Sequence, residues 1–369
     1  MSSLARRPRI RRAVSGTARW ALGLVGEPEP EPEPANPAPE PEPEPAPPPE
    51  EPAPDLSREV LPCGPSAEHE SISDLLYHRL GEQDVLEVQE RILAEEGPRQ
   101  LYEGTEGEKL RRFLILAFGV WFELPGVLEK TGLTAAQPPE EIHAMARGPL
   151  AAAGGLYEAD MVADALAHAG IAMADVACGL DFGCSSGRVL RVLRAAYPGA
   201  SWRGCDPNAP AIEWAREHLA GVEFFVSGNA PPLALEDGTL DVVCAISIWS
   251  HFEPALGLRW FDEMHRVLRP GGHLVCTTHG LSTIAHDATR ELRPPAQLLD
   301  IARSVYRRNQ WYGAEFGEEG DWGVVNPDWG TAFLSPEWML AQLCPRWRVL
   351  EFEAGRNHGN QDVYVLERA

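Results

Sequence analysis

The chain has 369 residues and a formal net charge of −23, so its surface as a whole is not built to follow a nucleic-acid backbone. A hydrophobic content of 44% is that of a globular protein with a sizeable core, enough for one large domain with appendages or for two ordinary domains. No stretch approaches the eighteen or so apolar residues needed to cross a bilayer, which excludes an integral membrane protein.

Residues 1–26 carry Arg6, Arg7, Arg9, Arg11, Arg12 and Arg19 with no acid. Ile10, Val14, Ala18, Ala21, Leu22 and Val25 recur at roughly helical spacing. The segment reads as a basic amphipathic helix suited to an anionic membrane surface, as an organellar transit peptide, or as a disordered basic arm, which Pro8 favours. Residues 27–55 hold fourteen prolines and nine glutamates. Proline fixes φ and removes donors while like charges repel, so this Glu-Pro tract is expected to be an extended, disordered linker. Residues 56–175 read as a helical region. Apolar positions repeat from Ser71 to Glu95 with a break near Gly81, again from Lys109 to Leu128, and from Met161 to Ala169 before Gly170.

From residue 176 the pattern changes to strand–helix alternation, which predicts a parallel sheet. Strands are expected at Cys178–Phe182, Ser201–Cys205, Val222–Val226, Leu240–Ile246 and His273–Thr278. Helices are expected at Gly187–Ala196, Ala209–Leu219 and Ala255–Leu268. Arg269-Pro270-Gly271-Gly272 reads as a sharp turn. Trp347–Ala354 and Asp362–Arg368 read as two strands joined by a polar loop, Gly355 to Gln361.

The run Gly179-Leu180-Asp181-Phe182-Gly183-Cys184-Ser185-Ser186-Gly187 reads as a buried strand, a glycine turn and a helix start, with Asp206 at the tip of the next strand. Unpaired N–H groups at a helix start and a carboxylate able to take ribose hydroxyls suit an adenosine-type ligand. The dinucleotide spacing Gly-x-Gly-x-x-Gly is absent, because the glycines fall four apart. Asp-x-Gly-x-x-x-Gly instead resembles motif I of class I S-adenosylmethionine-dependent methyltransferases. Further motifs follow in register: Cys205-Asp206-Pro207-Asn208, Gly228-Asn229-Ala230, the acidic turn Glu236 to Val243, and Leu268-Arg269-Pro270-Gly271-Gly272.

The resemblance implies an α/β, Rossmann-like, seven-stranded and mostly parallel sheet with an antiparallel closing strand. The helical region 56–175 would cover the cleft, and the methyltransferase domain, 176–369, would carry an insertion lid at 281–345. It implies S-adenosyl-L-methionine as cofactor. The cofactor-binding residues would be Asp181, Gly183, Cys184, Ser185, Gly187, Asp206, Asn229, Ala230 and Ile246, with Asp206 on the ribose and Asn229 at the adenine edge.

The acceptor side rests on position and composition. Ligands in open α/β sheets sit outside the carboxyl ends of the strands, where His251 and His279 are expected, so either is a candidate general base. Aromatics crowd the lid, and the steps Asp321-Trp322-Gly323 and Asp328-Trp329-Gly330 interleave acid and ring. Trp322, Asp328 and Trp329 are therefore candidate substrate-binding residues. Ser335-Pro336 reads as a helix start. Seven cysteines with no Cys-x-x-Cys pair read as small, mostly buried residues in a reducing compartment, and no metal-ligand motif is seen. An Asn/Asp-Pro-Pro-aromatic motif is missing after strand four, which argues against nucleic-acid bases as acceptors.

The expectation is a cytoplasmic methyltransferase, peripheral at a membrane if the basic arm makes a weak surface contact. Its acceptor would be a saccharide or small-metabolite hydroxyl. Nitrogen or carbon methylation, or a non-catalytic module that binds S-adenosylmethionine, are the alternatives, and the oligomeric state is open.

Overall fold

A computed structural model describes residues 69–139, 142, 154–314 and 329–369, all within the unit Pro62–Ala369. The basic arm, the Glu-Pro tract, Trp322 and Asp328 lie outside the described residues.

The run Cys178–Phe182 forms β1 at the centre of a seven-stranded sheet. It is followed by β2 (Ser201–Asp206), β3 (Val222–Val226), β4 (Leu240–Ala245) and β5 (Leu268–Thr278). A small pair, β6 (Gln310–Gly313) and β7 (Thr331–Leu334), precedes β8 (Trp347–Asn357) and β9 (Gln361–Arg368). The spatial order is β3-β2-β1-β4-β5-β9-β8, with β9 antiparallel to both of its neighbours. The first five strands run parallel. β1 is covered on both faces, which is why its residues from Gly179 onward stay apolar or small except for Asp181. Strand order reverses between β1 and β4, the switch point at which open α/β sheets form a crevice.

Helices close both faces. On one side Ile72, Leu76, Val88, Ile92, Leu114 and Phe118 pack with Val162, Leu166, Leu190 and Leu193. The N-terminal helices thus supply core as well as cover. Arg79 ties the layers, its guanidinium donating to the Ala195 and Ala196 carbonyls at 2.7 Å, the open end of the helix Leu190–Ala196. On the other side, the helix Pro254–Val267 buries Leu256, Trp260, Phe261, Met264 and Val267 against β1, β4 and β5. Its start is set by Glu253, whose carboxylate accepts from the Ala255 and Leu256 amides, and by Pro254 in the first turn. Ser335 caps the helix Pro336–Leu343 in the expected way, accepting from the Trp338 amide at 3.2 Å.

Three sequence expectations are corrected. The segment Arg269–Gly272 is no separate turn. β5 starts at Leu268 and takes these residues into the strand through a register shift opposite Leu240 and Val242. The polar loop after β8 shrinks to three residues, 358–360. Buried Asn357 and Gln361 pair at 3.0 Å and so extend the hairpin beyond Gly355. The apolar run from Lys109 to Leu128 is two helices, Glu108–Trp121 and Pro125–Thr131, separated where Glu123 adopts φ +53°.

The lid contains a feature the sequence did not announce. β6 and β7 pair, and β7 is also stitched to the strand ends of the main sheet. The Gly330 and Ala332 amides donate to the His251 and Ser250 carbonyls at 2.8 and 2.7 Å, and the Leu334 amide to the His279 carbonyl at 2.8 Å. Among the described residues, no helix is long and apolar enough to cross a membrane.

Candidate active site

A cavity of about 400 Å³ opens at the carboxyl ends of β1, β2 and β4. Its floor is the turn after β1. The Gly183 and Cys184 amides both donate to the Cys205 carbonyl, at 2.9 and 3.0 Å, which bends the chain sharply out of the sheet. Gly183 has φ +80°, and a Cβ there would collide with Ile248 across the cavity mouth. Gly187, at φ +76°, does not line the cavity. A Cβ there would lie 2.6 Å from Leu219 and 2.9 Å from Phe224, so it is a packing glycine. The helix itself begins at Leu190, later than the expected Gly187.

Asp206 organises this turn. One carboxylate oxygen accepts from the Ser185 amide and the other from the Asn208 amide, each at 2.8 Å. Burial raises its pKa, and those two amides pull it back down. Each oxygen keeps a second lone pair for a hydroxyl donor. Asp181, 3% exposed, also lines the cavity. Burial pushes its pKa up to about 7, opposed by the Cys244 thiol, which bonds to it at 3.7 Å.

The opposite wall comes from the loop after β4. Ile246, Ser247, Ile248, His251 and Phe252 all contribute. Ser247 has φ +60° and is held there from two sides. Its amide donates to the Thr277 hydroxyl at 2.7 Å and its own hydroxyl to Gln361 at 2.9 Å. His251 Nδ1 lies 3.0 Å from the Gly330 carbonyl, a contact that requires a proton on Nδ1 and leaves Nε2 as the basic nitrogen. Trp329 reaches the same cavity from the lid, its ring 6.0 Å from that of Phe252.

Most of the expected residues converge. Asp181, Gly183, Cys184, Ser185, Asp206, Ile246, His251 and Trp329 all line one cavity. Asn229 and Ala230 do not, because the chain turns outward after β3 and leaves them exposed; Ser227 and Gly228 take their place in the wall. His279 is likewise set apart from the cavity. It is 8% exposed, and its Nε2 accepts from the Gln361 side chain at 3.3 Å. Burial lowers its pKa to about 3, so it stays neutral and packs behind the wall, against Phe333.

Polar lining residues that were not among the expected site residues include Glu158, Arg188, Ser227, Asn357 and His358. Arg188 follows the glycine turn directly, a signal present in the sequence. Glu158 pairs with it at 2.8 Å from the helix Leu156–His168, a partnership that only the tertiary fold creates.

A parallel sheet with reversed β9, a glycine turn after β1 and an acid after β2 define a class I, Rossmann-like methyltransferase domain, whose cofactor is S-adenosylmethionine. Residues 180–276 match the family model described as a methyltransferase domain. Over 116 residues the chain is 34% identical to a fatty-acid O-methyltransferase of Mycolicibacterium smegmatis, covering 30% of this chain and 41% of that protein. It is 37% identical over 100 residues to phthiotriol/phenolphthiotriol dimycocerosates methyltransferase 1 of Mycobacterium ulcerans, covering 27% and 36%. A malonyl-[acyl-carrier protein] O-methyltransferase of Hahella chejuensis is 30% identical over 100 residues, covering 27% and 35%. The chain thus spans about two fifths or less of the length of these relatives.

The residues present fit the cofactor. Ser227 Oγ is buried, lines the wall beyond β3 and has no partner among the described residues, as suits a site that receives a base edge. Three acids, Glu158, Asp181 and Asp206, share the cavity with the single arginine Arg188, a balance that complements a sulfonium and an ammonium beside one carboxylate.

Proposed function

We propose that the chain is an S-adenosylmethionine-dependent O-methyltransferase that acts on a hydroxyl group of a small molecule. The observation that carries this reading is His251, which stands in the wall of the cofactor cavity with Nδ1 held by the Gly330 carbonyl. When bound, S-adenosylmethionine supplies a methyl group on a sulfonium, already activated as a leaving group. The protein's task is then alignment, which supplies roughly 7–11 kcal/mol in favourable cases, against about 10²–10⁴-fold for a positioned base.

Alignment falls to the rigid walls. Phe252 and Trp260 line the cavity together with the glycine turn after β1. Asp206 takes the ribose hydroxyls, and Ser227 meets the adenine edge. Arg188 suits the methionine carboxylate; Glu158 and Asp181 suit the ammonium. His251 Nε2 accepts the proton of the acceptor hydroxyl as the oxygen attacks. Because Gly330 belongs to the strand segment stitched onto the post-β4 loop, the lid fixes the tautomer that this step needs. Two of the relatives above are named as O-methyltransferases, which supports oxygen over nitrogen or carbon. A small-metabolite acceptor is preferred to a saccharide, since the relatives named above as O-methyltransferases carry fatty-acid and malonyl-[acyl-carrier protein] names.

The test is turnover of S-adenosylmethionine by the full chain with a panel of hydroxyl and amine acceptors. A methyl ether is expected, and His251→Ala should lower kcat by about 10²-fold or more with cofactor affinity retained. Turnover of amines alone would overturn the oxygen assignment. Tight cofactor binding with no turnover on any acceptor would favour a binding module.

A further inference from the structure

A second chamber, of about 610 Å³, adjoins the cofactor cavity and shares Glu158, Arg188 and His358 with it. It lies between the helices Ile72–Tyr77, Glu108–Trp121 and Leu156–His168, outside the segment that carries the methyltransferase motifs. We propose that this chamber holds the body of the methyl acceptor, an amphipathic hydroxyl compound with an alkyl or aryl tail. The proposal rests on the methyl-transfer reading above and adds to it where the acceptor lies and what kind of molecule it is.

Volume is the first argument. A single drug-sized ligand occupies a pocket of roughly 300–1,000 Å³, and a cavity of about 400 Å³ lies at the low end of that range. An acceptor larger than its reacting group therefore needs space elsewhere. The larger chamber supplies it directly beside the cofactor.

The second argument is chemical. Leu110 and Phe113, which do not line the cofactor cavity, give this chamber an apolar surface for a tail. Leu110 is 49% exposed and so is open to contact along this surface. The charged side chains of Glu106, just before the same helix, and Lys109, in its first turn, are exposed and can stay solvated while a tail is buried.

The boundary between the two spaces is built and anchored. The Tyr157 ring stacks on His358 with centroids 4.0 Å apart and planes 20° apart. The Tyr157 hydroxyl donates to the Arg356 carbonyl at 2.7 Å and accepts from the His358 amide at 3.0 Å. Arg356 is fixed in turn by Asp164 at 2.8 Å. On the far side, Asp160 accepts from both the amide and the hydroxyl of Ser73, at 2.8 and 2.7 Å, which locks the N-terminal helix to the helix Leu156–His168. The tail would lie along Leu110 and Phe113, and the hydroxyl would pass the Tyr157–His358 pair towards the methyl group.

The experiment uses the full chain, S-adenosylmethionine and 4-alkylphenols from ethyl to nonyl. In the wild type kcat/KM should rise with chain length. Leu110→Trp and Phe113→Trp, which fill the chamber, should each lower kcat/KM for 4-nonylphenol by about tenfold, with progressively smaller losses as the chain shortens. Calorimetric affinity for S-adenosylmethionine, and the melting temperature, serve as controls on folding and on the cofactor cavity. Independence of chain length, or wild-type values for 4-nonylphenol in both variants, would overturn the proposal. Calorimetry of 4-nonylphenol on the S-adenosylhomocysteine complex separates the two readings. Binding that both variants weaken, without turnover, leaves the chamber standing and removes the hydroxyl chemistry. Turnover of short phenols with no binding of the long one does the reverse.

Discussion

Asp181, Gly183, Ser185 and Asp206, the lining residues proposed to hold the cofactor, all lie between residues 181 and 206. The proposed acceptor side draws His251, Trp329 and Asn357 from three separate parts of the chain, between residues 251 and 357. The first side is made by one strand–turn–helix unit and the tip of the neighbouring strand, so its geometry follows from local spacing. The second exists only because β7 and the β8–β9 hairpin close over the end of β4. A substitution on the first side should therefore act on cofactor affinity. One on the second side should act on acceptor turnover and leave cofactor affinity alone.

The largest effect is expected at Gly183. Its φ of +80° and the collision of any Cβ with Ile248 mean that Gly183→Val should abolish measurable cofactor binding, with a lowered melting temperature. Retained affinity there would show that the turn is not the cofactor floor. Asp206→Ala comes next. It removes two buried, charge-assisted bonds to the turn and the partner of the ribose, each worth about 1.5–3 kcal/mol, so calorimetry should show affinity at least tenfold weaker.

These two residues were legible in the sequence because glycine spacing and an acid at a strand tip are local signals. Asn229 was misplaced for the same reason. Register along the chain located the end of β3 correctly, but not the direction in which the backbone leaves it, and Ser227 occupies the wall instead. His251 and His279 looked equivalent as the residues following adjacent strands. The structure separates them through Gln361, which accepts from Ser247, Thr277 and Asn357 and donates to His279, a network no spacing rule anticipates. The pairing of β6 with β7 was hidden because each is only four residues long.

A smaller effect sharpens the electrostatic side of the comparison. Burial raises the Asp181 pKa to about 7, so the folded protein without cofactor holds a proton there that the unfolded chain releases near 3.8. This group's contribution favours folding below 3.8 and is lost as pH rises towards 7. The cationic cofactor favours the carboxylate, so affinity should rise as pH increases through about 7, with proton uptake by buffer on binding below it. Asp181→Asn should flatten that dependence; an unchanged slope would assign the titration to another group.

The smallest effect is expected at Trp329. Its indole lines the cavity with Nε1 buried and unpartnered among the described residues. Trp329→Phe keeps the ring and removes the donor, so acceptor KM should rise a few-fold, by about 1 kcal/mol, at unchanged cofactor affinity. A change in cofactor affinity instead would blur the division between the two sides.

The most direct measurement is a crystal structure of the full chain with S-adenosylhomocysteine. The ribose hydroxyls are expected on the Asp206 carboxylate, the adenine edge against Ser227, and the sulfur facing His251, with the 610 Å³ chamber left open beside it. A ligand bound elsewhere, or an Asp206 still engaged by Ser185 and Asn208 alone, would contradict it.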